Sequence, residues 1–561
     1  MISALHGKKL TVQNAIDSYI KGDGRKATGD GRQATGDGRM ATGDRRQETG
    51  EWRQAMGDRL LVKILDMKRV KILLTFLFLA GILRGQGQDN NDAVLLNAMH
   101  SISSHDLFEY VKIQCDSKYQ GRLTGTKEYQ ECAEWLAGKF EEWGLSPSGD
   151  NGTWFQWFKI PYTLIFPDCG ITLHIPVGKD FHILKPYKYI SEYMPGSTSG
   201  NGEVTAEVVY AGYGISAPEL GYDDYSGIDV NGKIILIERE APVDPSAGAE
   251  KFNPWYKYSF HQTKLENAVR HGATGMIYNY GPIANPNNAY NEKFIYVHVG
   301  DSVVRDIFSG TGKIHQDLVK KINASLKPQS FNTKKIVTIK MSTEHYPDGK
   351  GTNVIGLIKG SDPELCNEVI IIGAHLDHLG KCYEIIPGAN DNASAVAVMM
   401  GVAQAFSQKN IKLKRSVMFI AFGSEEQALL GSKAYINNPV MPLTKSVLLN
   451  MDGVGIGNFI SASAGKNYPV LWSFIEECNK KYIHRSLSTN YFANLGRPRL
   501  DAAIFLQAGV PSLSFSTFGS SNYYHVPQDN LDIIKPEIME DLAQLLFLSV
   551  VKMGNSDTPL Y

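Results

Sequence analysis

From about residue 350 onward, short unbroken apolar runs alternate with segments whose apolar positions recur at helical spacing. Val369 to Ala374, Val417 to Phe422, Val447 to Met451 and Pro511 to Phe515 predict strands. Ala393 to Phe406 predicts a helix, and Glu426 to Tyr435 the opening of another. Strands that are apolar on both faces belong in a sheet covered from both sides. The pattern therefore predicts an α/β domain, a mostly parallel sheet flanked by helices, over residues 331–561. Upstream, KEYQECAEWLAGKFEEWGL has helical periodicity and ends at Gly144, a suitable C-cap, and the strand-like WFQWFKI follows. Residues 95–165 read as the first part of the same domain.

Between these parts, residues 166–330 read as an inserted small α+β domain. Val204 to Tyr210 predicts a strand. An Asn-Gly turn precedes the apolar run Ile234 to Ile237, and a helix, KLENAVRHGA, leads into the strand TGMIYNY. This stretch carries no cluster of metal-ligating side chains. His261 and His271 within it are expected to be structural or exposed.

The first 66 residues follow a different pattern. Gly recurs every seven residues from 22 to 57, each followed by an acid, in a GDGRxAT-like unit with almost nothing to bury. A seven-residue period without apolar a and d positions is no coiled coil, and this leader is expected to be disordered low-complexity chain, outside the fold and upstream of the true start. Met67 opens MKRVKILLTFLFLAGILRGQGQ: a basic start, an apolar run from Ile72 to Leu83, then a small, polar exit. Residues 67–85 are expected to be a secretory signal peptide, its apolar run too short to span a bilayer. The protein is then secreted or periplasmic, with no stable membrane insertion after cleavage. A start at Met1 would make the segment internal and an uncleaved anchor.

Composition changes this picture little. The 57 basic and 58 acidic residues leave a formal net charge of -1, so no overall field favours nucleic acid. Six scattered cysteines include no CxxC pair, which argues against a thiolate metal site. Cys366 and Cys382 are near enough in sequence to pair in an oxidising compartment; six separate thiols is the other reading.

The chemistry falls at the predicted strand ends. HLDHLG, NDN, GSEEQ, MDGVG and YYHVPQD are five separated segments offering carboxylates or imidazoles to one rim of one sheet. Two His and three carboxylates, one of them shared, suit a pair of zinc ions. Of the adjacent Glu425 and Glu426, one can face metal while the other stays free as a base. Asp377, two residues from His375, is placed to orient it or a neighbouring ligand. Tyr523 and Tyr524 either pack or contact substrate or a developing oxyanion. His378 is one residue too many for the set and reads as a support or pocket wall.

In this order the segments resemble the secreted zinc aminopeptidases related to bacterial leucyl aminopeptidase and glutamate carboxypeptidase. The resemblance runs from about residue 105 to 555. It includes GRLTGTKEY near the start, and AGYGI, DDY and NGKIILIER, which are similar to that family's protease-associated insert. It implies a zinc-exopeptidase, phosphorylase/hydrolase-like fold with two Zn2+ per chain. One zinc would take His375 and Asp452, the other Glu426 and His525, with Asp391 bridging. Glu425 would be the general base and Asp377 the auxiliary carboxylate; Asp501 and Asp529 would be supports. Asn390 and Ala395 depart from the family's usual Asp and Gly without removing a ligand.

The implied reaction is removal of N-terminal residues from a peptide substrate by metal-activated water attack. A carboxypeptidase or dipeptidase on the same metals would need a cation for the substrate carboxylate, and Arg497 and Arg499 are candidates. A glutaminyl-cyclase-like transferase and a non-catalytic binding protein are the remaining readings.

Overall fold

A computed structural model describes residues 92–179, 181–407, 411–492, 499–518 and 523–561. The leader repeat, the apolar segment after Met67 and Arg497 lie outside the described residues.

The larger sheet is built on strands Lys350–Ile358, Ser416–Phe422, Val369–His375, Ser446–Met451, Ser512–Phe518, Phe459–Ser463 and Leu487–Thr489, in that spatial order. The four strands from Ser416–Phe422 to Ser512–Phe518 run parallel, as expected. The expectation of a mostly parallel sheet needs correcting at its flanks. Lys350–Ile358 is antiparallel to Ser416–Phe422, and Phe459–Ser463 is antiparallel to Ser512–Phe518. Lys350–Ile358 is buried along most of its length, so burial does not set it apart from the parallel strands; strand direction follows from the long-range connections of the chain, which no local periodicity marks.

Alternation along Val369–His375 explains why helices lie on both faces. Ile370, Ile372 and Ala374 pack into one core with helices Ser104–Gln114, Lys127–Glu142, Ser394–Phe406 and Pro536–Asn555. Val369 and Ile371 pack into another with Tyr435 of Leu430–Asn437 and Phe505 of Asp501–Gln507. Helix Lys127–Glu142 ends where expected, Gly144 following in the left-handed region at φ +75°. Helix 430–437 starts later than the pattern suggests. Ser424, Ala428 and Leu429 all have positive φ, which breaks a helix and leaves Glu425 and Glu426 in a turn.

The insert holds a second sheet in which Gly202–Tyr210, Ile234–Glu238, Gly275–Asn279 and Ile295–Val299 are parallel neighbours. Its boundary is not at residue 330. Phe331–Met341 pairs with both Gly170–Pro176 and Gly202–Tyr210, so the insert runs through Met341. The chain leaves and re-enters the larger α/β part through Tyr162–Ile165 paired with Thr343–Tyr346. His261 is buried with Nδ1 2.8 Å from the Tyr278 hydroxyl, and His271 stacks on Tyr225; both are structural. All six cysteines are free thiols, so Cys366 and Cys382 are unpaired. Among the described residues no helix is long and apolar enough to cross a membrane.

Candidate metal centre

The parallel strands end on one rim, and the five segments meet there. His375 closes the strand Val369–His375, and Asp452 directly follows Ser446–Met451. Asp391 precedes the buried helix Ser394–Phe406. Glu425 and Glu426 follow Ser416–Phe422, and His525 follows the last parallel strand.

His375 Nε2 lies 3.3 Å from Asp391 Oδ1 and 3.8 Å from Asp452 Oδ1. His525 Nε2 lies 3.5 Å from Asp391 Oδ2 and 3.1 Å from Glu426 Oε2. Asp391 thus turns one oxygen to each imidazole. Two ligands at a tetrahedral angle, each about 2.0–2.2 Å from one zinc, stand roughly 3.4 Å apart, which is the separation seen in most of these pairs. The Nε2 atoms of His375 and His525 are buried and lack a hydrogen-bond partner, as an unfilled ligand atom would. Two groups of side chains, overlapping at Asp391, can each hold a metal ion: His375, Asp391 and Asp452, and His378, Asp391 and Glu426. His378 therefore sits inside the cluster, with Nδ1 2.8 Å from Glu426 Oε1. Both atoms are buried without a hydrogen-bond partner, as is His378 Nε2, so His378 joins His375 and His525 in offering unfilled ligand atoms.

The supporting shell is largely main chain. The Asp377 carboxylate accepts the N–H groups of Glu425 at 3.1 Å and Glu426 at 3.3 Å and lies 3.7 Å from His375 Nδ1. Asp377 thus holds the Glu425–Glu426 turn more closely than it holds the histidine. The Asp529 carboxylate accepts the N–H of Asn390 at 2.8 Å and of Asp391 at 3.0 Å. Asn392 donates to the Met451 carbonyl and accepts from Gly453 N–H, tying the Asp391 segment to the Asp452 loop. Asn390, where the family pattern often has Asp, accepts the Gly455 N–H at 2.8 Å, a bond that an amide oxygen makes as well as a carboxylate.

Arg122 and Thr124, in GRLTGTKEY, have roles that sequence reasoning missed. The buried Arg122 guanidinium donates to the carbonyls of Gln114, Leu376, Pro387 and Gly388, and Thr124 Oγ1 accepts the Ser424 N–H. An arginine amid small residues was the available signal, but nothing local names its acceptors.

The charges hold one another in place. Burial works against charging His525, yet Glu426 and Asp391 lift it to about 10. Burial likewise opposes protonation of His375, and Asp377, Asp391 and Asp452 outweigh it, keeping it well above its ordinary value. Asp391 is driven well below the carboxylate range, its partners His375 and His525 overriding burial. Glu425 moves the other way. Burial, with Glu426 and Asp452 nearby, outweighs the pull of His375 and raises it well above 4.5. Burial also raises Asp501 to about 7 and Asp529 to about 6.

A cleft of about 330 Å³ opens over these groups, lined by Asp391, Glu425, Glu426, Asp452 and His525, with Ser463, Arg499, Leu500, Phe515 and Tyr524. The Tyr524 ring lies on the His525 imidazole, centroids 3.6 Å apart. Tyr523 is exposed and does not line the cleft.

The chain is similar to known peptidases over this region. It is 27% identical over 236 residues to Aminopeptidase YwaD of Bacillus subtilis, covering 40% of this chain and 48% of that one. It is 25% identical over 362 residues to an aminopeptidase of Pseudomonas aeruginosa, covering 62% and 57%. It spans only about half the length of these curated relatives. Among solved structures, an aminopeptidase from Aneurinibacillus sp. strain AM-1 shares the fold at TM-score 0.58 and 21% identity, with 82% of this chain and 95% of that one covered. Residues 353–550 match Peptidase family M28 and residues 204–304 match the PA domain. The α/β part of this chain, with its two overlapping metal-ligand clusters, is thus an M28-family peptidase fold, and its insert is a PA domain.

Proposed function

We propose that the chain is a two-zinc aminopeptidase, secreted or periplasmic, that removes N-terminal residues from peptides. The observation that carries this reading is Asp391, whose two carboxylate oxygens face two separate imidazoles at 3.3 and 3.5 Å while Glu425 lines the same cleft outside both clusters. His375 and Asp452 would hold one zinc, Glu426 and His525 the other, and Asp391 both; His378 walls the site beside Glu426. Zinc bound there would polarise the scissile carbonyl and raise the acidity of a water.

The protein's own groups do the rest. Glu425 takes a proton from the attacking water and delivers it to the leaving amine. Asp377 keeps Glu425 in position through the main chain. The aminopeptidase names of the Bacillus and Pseudomonas relatives support the same choice of substrate end. The apolar segment from Ile72 to Leu83 supports export.

The test is a zinc-loaded assay on matched peptides with free and acetylated N-termini. Cleavage that requires the free amine is expected. Cleavage that instead requires a free C-terminal carboxylate would replace this reading with the carboxypeptidase one.

A further inference from the structure

The two imidazoles that face Asp391 are oriented differently. His375 Nδ1 lies 3.1 Å from the Asp377 carbonyl, two residues along its own strand end. His525 Nδ1 lies 2.9 Å from the Ala284 carbonyl, which belongs to the PA insert. A carbonyl can only accept, so Nδ1 of His525 carries a proton, and Nε2, facing Asp391 and Glu426, is the nitrogen that would lose its proton to ligate a metal. The contact is reciprocal, because Ala284 N–H donates to the His525 carbonyl at 3.2 Å. Ala284 is buried, packed with Ile165, Leu379 and Ile386.

The turn that carries Ala284 is itself fixed from inside the insert. His298 is buried on the strand Ile295–Val299, and its Nδ1 donates to the Ile283 carbonyl at 2.7 Å. Gly281 N–H donates to the Val299 carbonyl, and Asn285 N–H to Ser197 Oγ at 3.1 Å. An unbroken set of hydrogen bonds therefore runs from the insert's sheet through Ile283 and Ala284 to the His525 ring.

We infer that the PA insert is a working part of the metal centre: His298, acting through the Ile283–Ala284 turn, is a positioning residue that sets the tautomer and aim of His525. This rests on the two-metal reading above. It divides the site in two. The His375–Asp452 half is oriented from within the catalytic domain, and the Glu426–His525 half depends on a second domain. Displacing the insert's turn should loosen one metal and spare the other.

The experiment strips the full-length protein of metal and titrates it with Zn2+ against a chromophoric chelator, with bound zinc counted by elemental analysis. Wild type is expected to take up two ions. His298→Leu should weaken one site about 10- to 100-fold and leave the other unchanged. His298→Asn, whose amide can donate from the Nδ1 position, should recover most of the loss. Ser197→Ala should shift the same site in the same direction by less, and it decides alone if His298→Leu does not fold. Two wild-type sites in folded His298→Leu and Ser197→Ala would overturn the inference. Equal weakening of both sites, with Asn no better than Leu, would overturn it too. Fewer than two ions in the wild type would remove the two-metal reading itself, and this inference with it.

Discussion

The Asp377 carboxylate accepts the main-chain N–H of Glu425 at 3.1 Å, so the residue assigned as proton carrier is held through its backbone by a carboxylate from another strand end. The same carboxylate takes the Glu426 N–H at 3.3 Å. Asp377→Ala leaves both amides without their acceptor and frees a turn already built on three left-handed residues, Ser424, Ala428 and Leu429. Turnover at saturating zinc should fall about 10- to 100-fold, as for other residues that orient metal ligands. Steady-state kinetics with parallel metal analysis checks this; an unchanged kcat would remove Asp377 from the machinery.

Glu425→Gln tests the division of labour between the adjacent glutamates. Gln keeps the shape of Glu425 but cannot carry a proton between water and leaving group. Because Glu425 lies outside both metal-ligand groups, zinc content should remain at the wild-type value while kcat falls about 10²- to 10⁴-fold. Loss of zinc in this variant would mean that Glu425 is a ligand and that the roles are misassigned.

Arg499 decides between the two substrate ends. It lines the cleft, and its Nη2 lies 3.2 Å from Glu240 Oε1 in the insert, so this cation is already engaged by a carboxylate. Under the aminopeptidase reading, Arg499→Ala should change kcat/KM equally for peptides ending in a free carboxylate and in an amide. A loss of about 10- to 100-fold confined to the free acids, the size of a lost charge-assisted hydrogen bond, would favour the carboxypeptidase reading.

The insert should carry its own pH signature at Asp224. This buried carboxylate accepts the N–H groups of Tyr213 and Ile215 and the Tyr222 hydroxyl, yet burial outweighs them and lifts it from 3.8 to about 7. The folded state thus binds the proton more tightly than the unfolded state does. The stability this contributes is complete below about 3.8 and is lost as pH rises through about 7. Urea unfolding of wild type and Asp224→Asn, followed from about pH 4 to about pH 8, should show the gap between them narrowing with pH. A gap that is constant or widens would contradict this assignment.

Much of the site is legible in the sequence. Continuous apolar runs such as Val369 to Ala374 specify buried parallel strands, because only a strand covered on both faces can be apolar at every position. Polar residues directly after such strands, such as His375 and Asp452, fall at the rim for the same reason. The order of the five segments then carried the family resemblance. What lay beyond the sequence is whatever depends on packing between distant segments. The antiparallel flanks and the extension of the insert to Met341 are pairings between strands far apart in the chain, which no local pattern encodes. The helix expected from Glu426 begins at Leu430, because a turn held by Asp377 from another strand end overrides the helical periodicity. Asp391, read as a bridge from resemblance alone, has one oxygen turned to each imidazole only once three segments converge. The sequence by itself determined which side chains are available for metal chemistry, since strand ends follow from apolar periodicity. Only the tertiary structure decided what aims them, because the aiming atoms are mostly backbone amides and carbonyls such as that of Ala284, which every residue has and no sequence pattern marks.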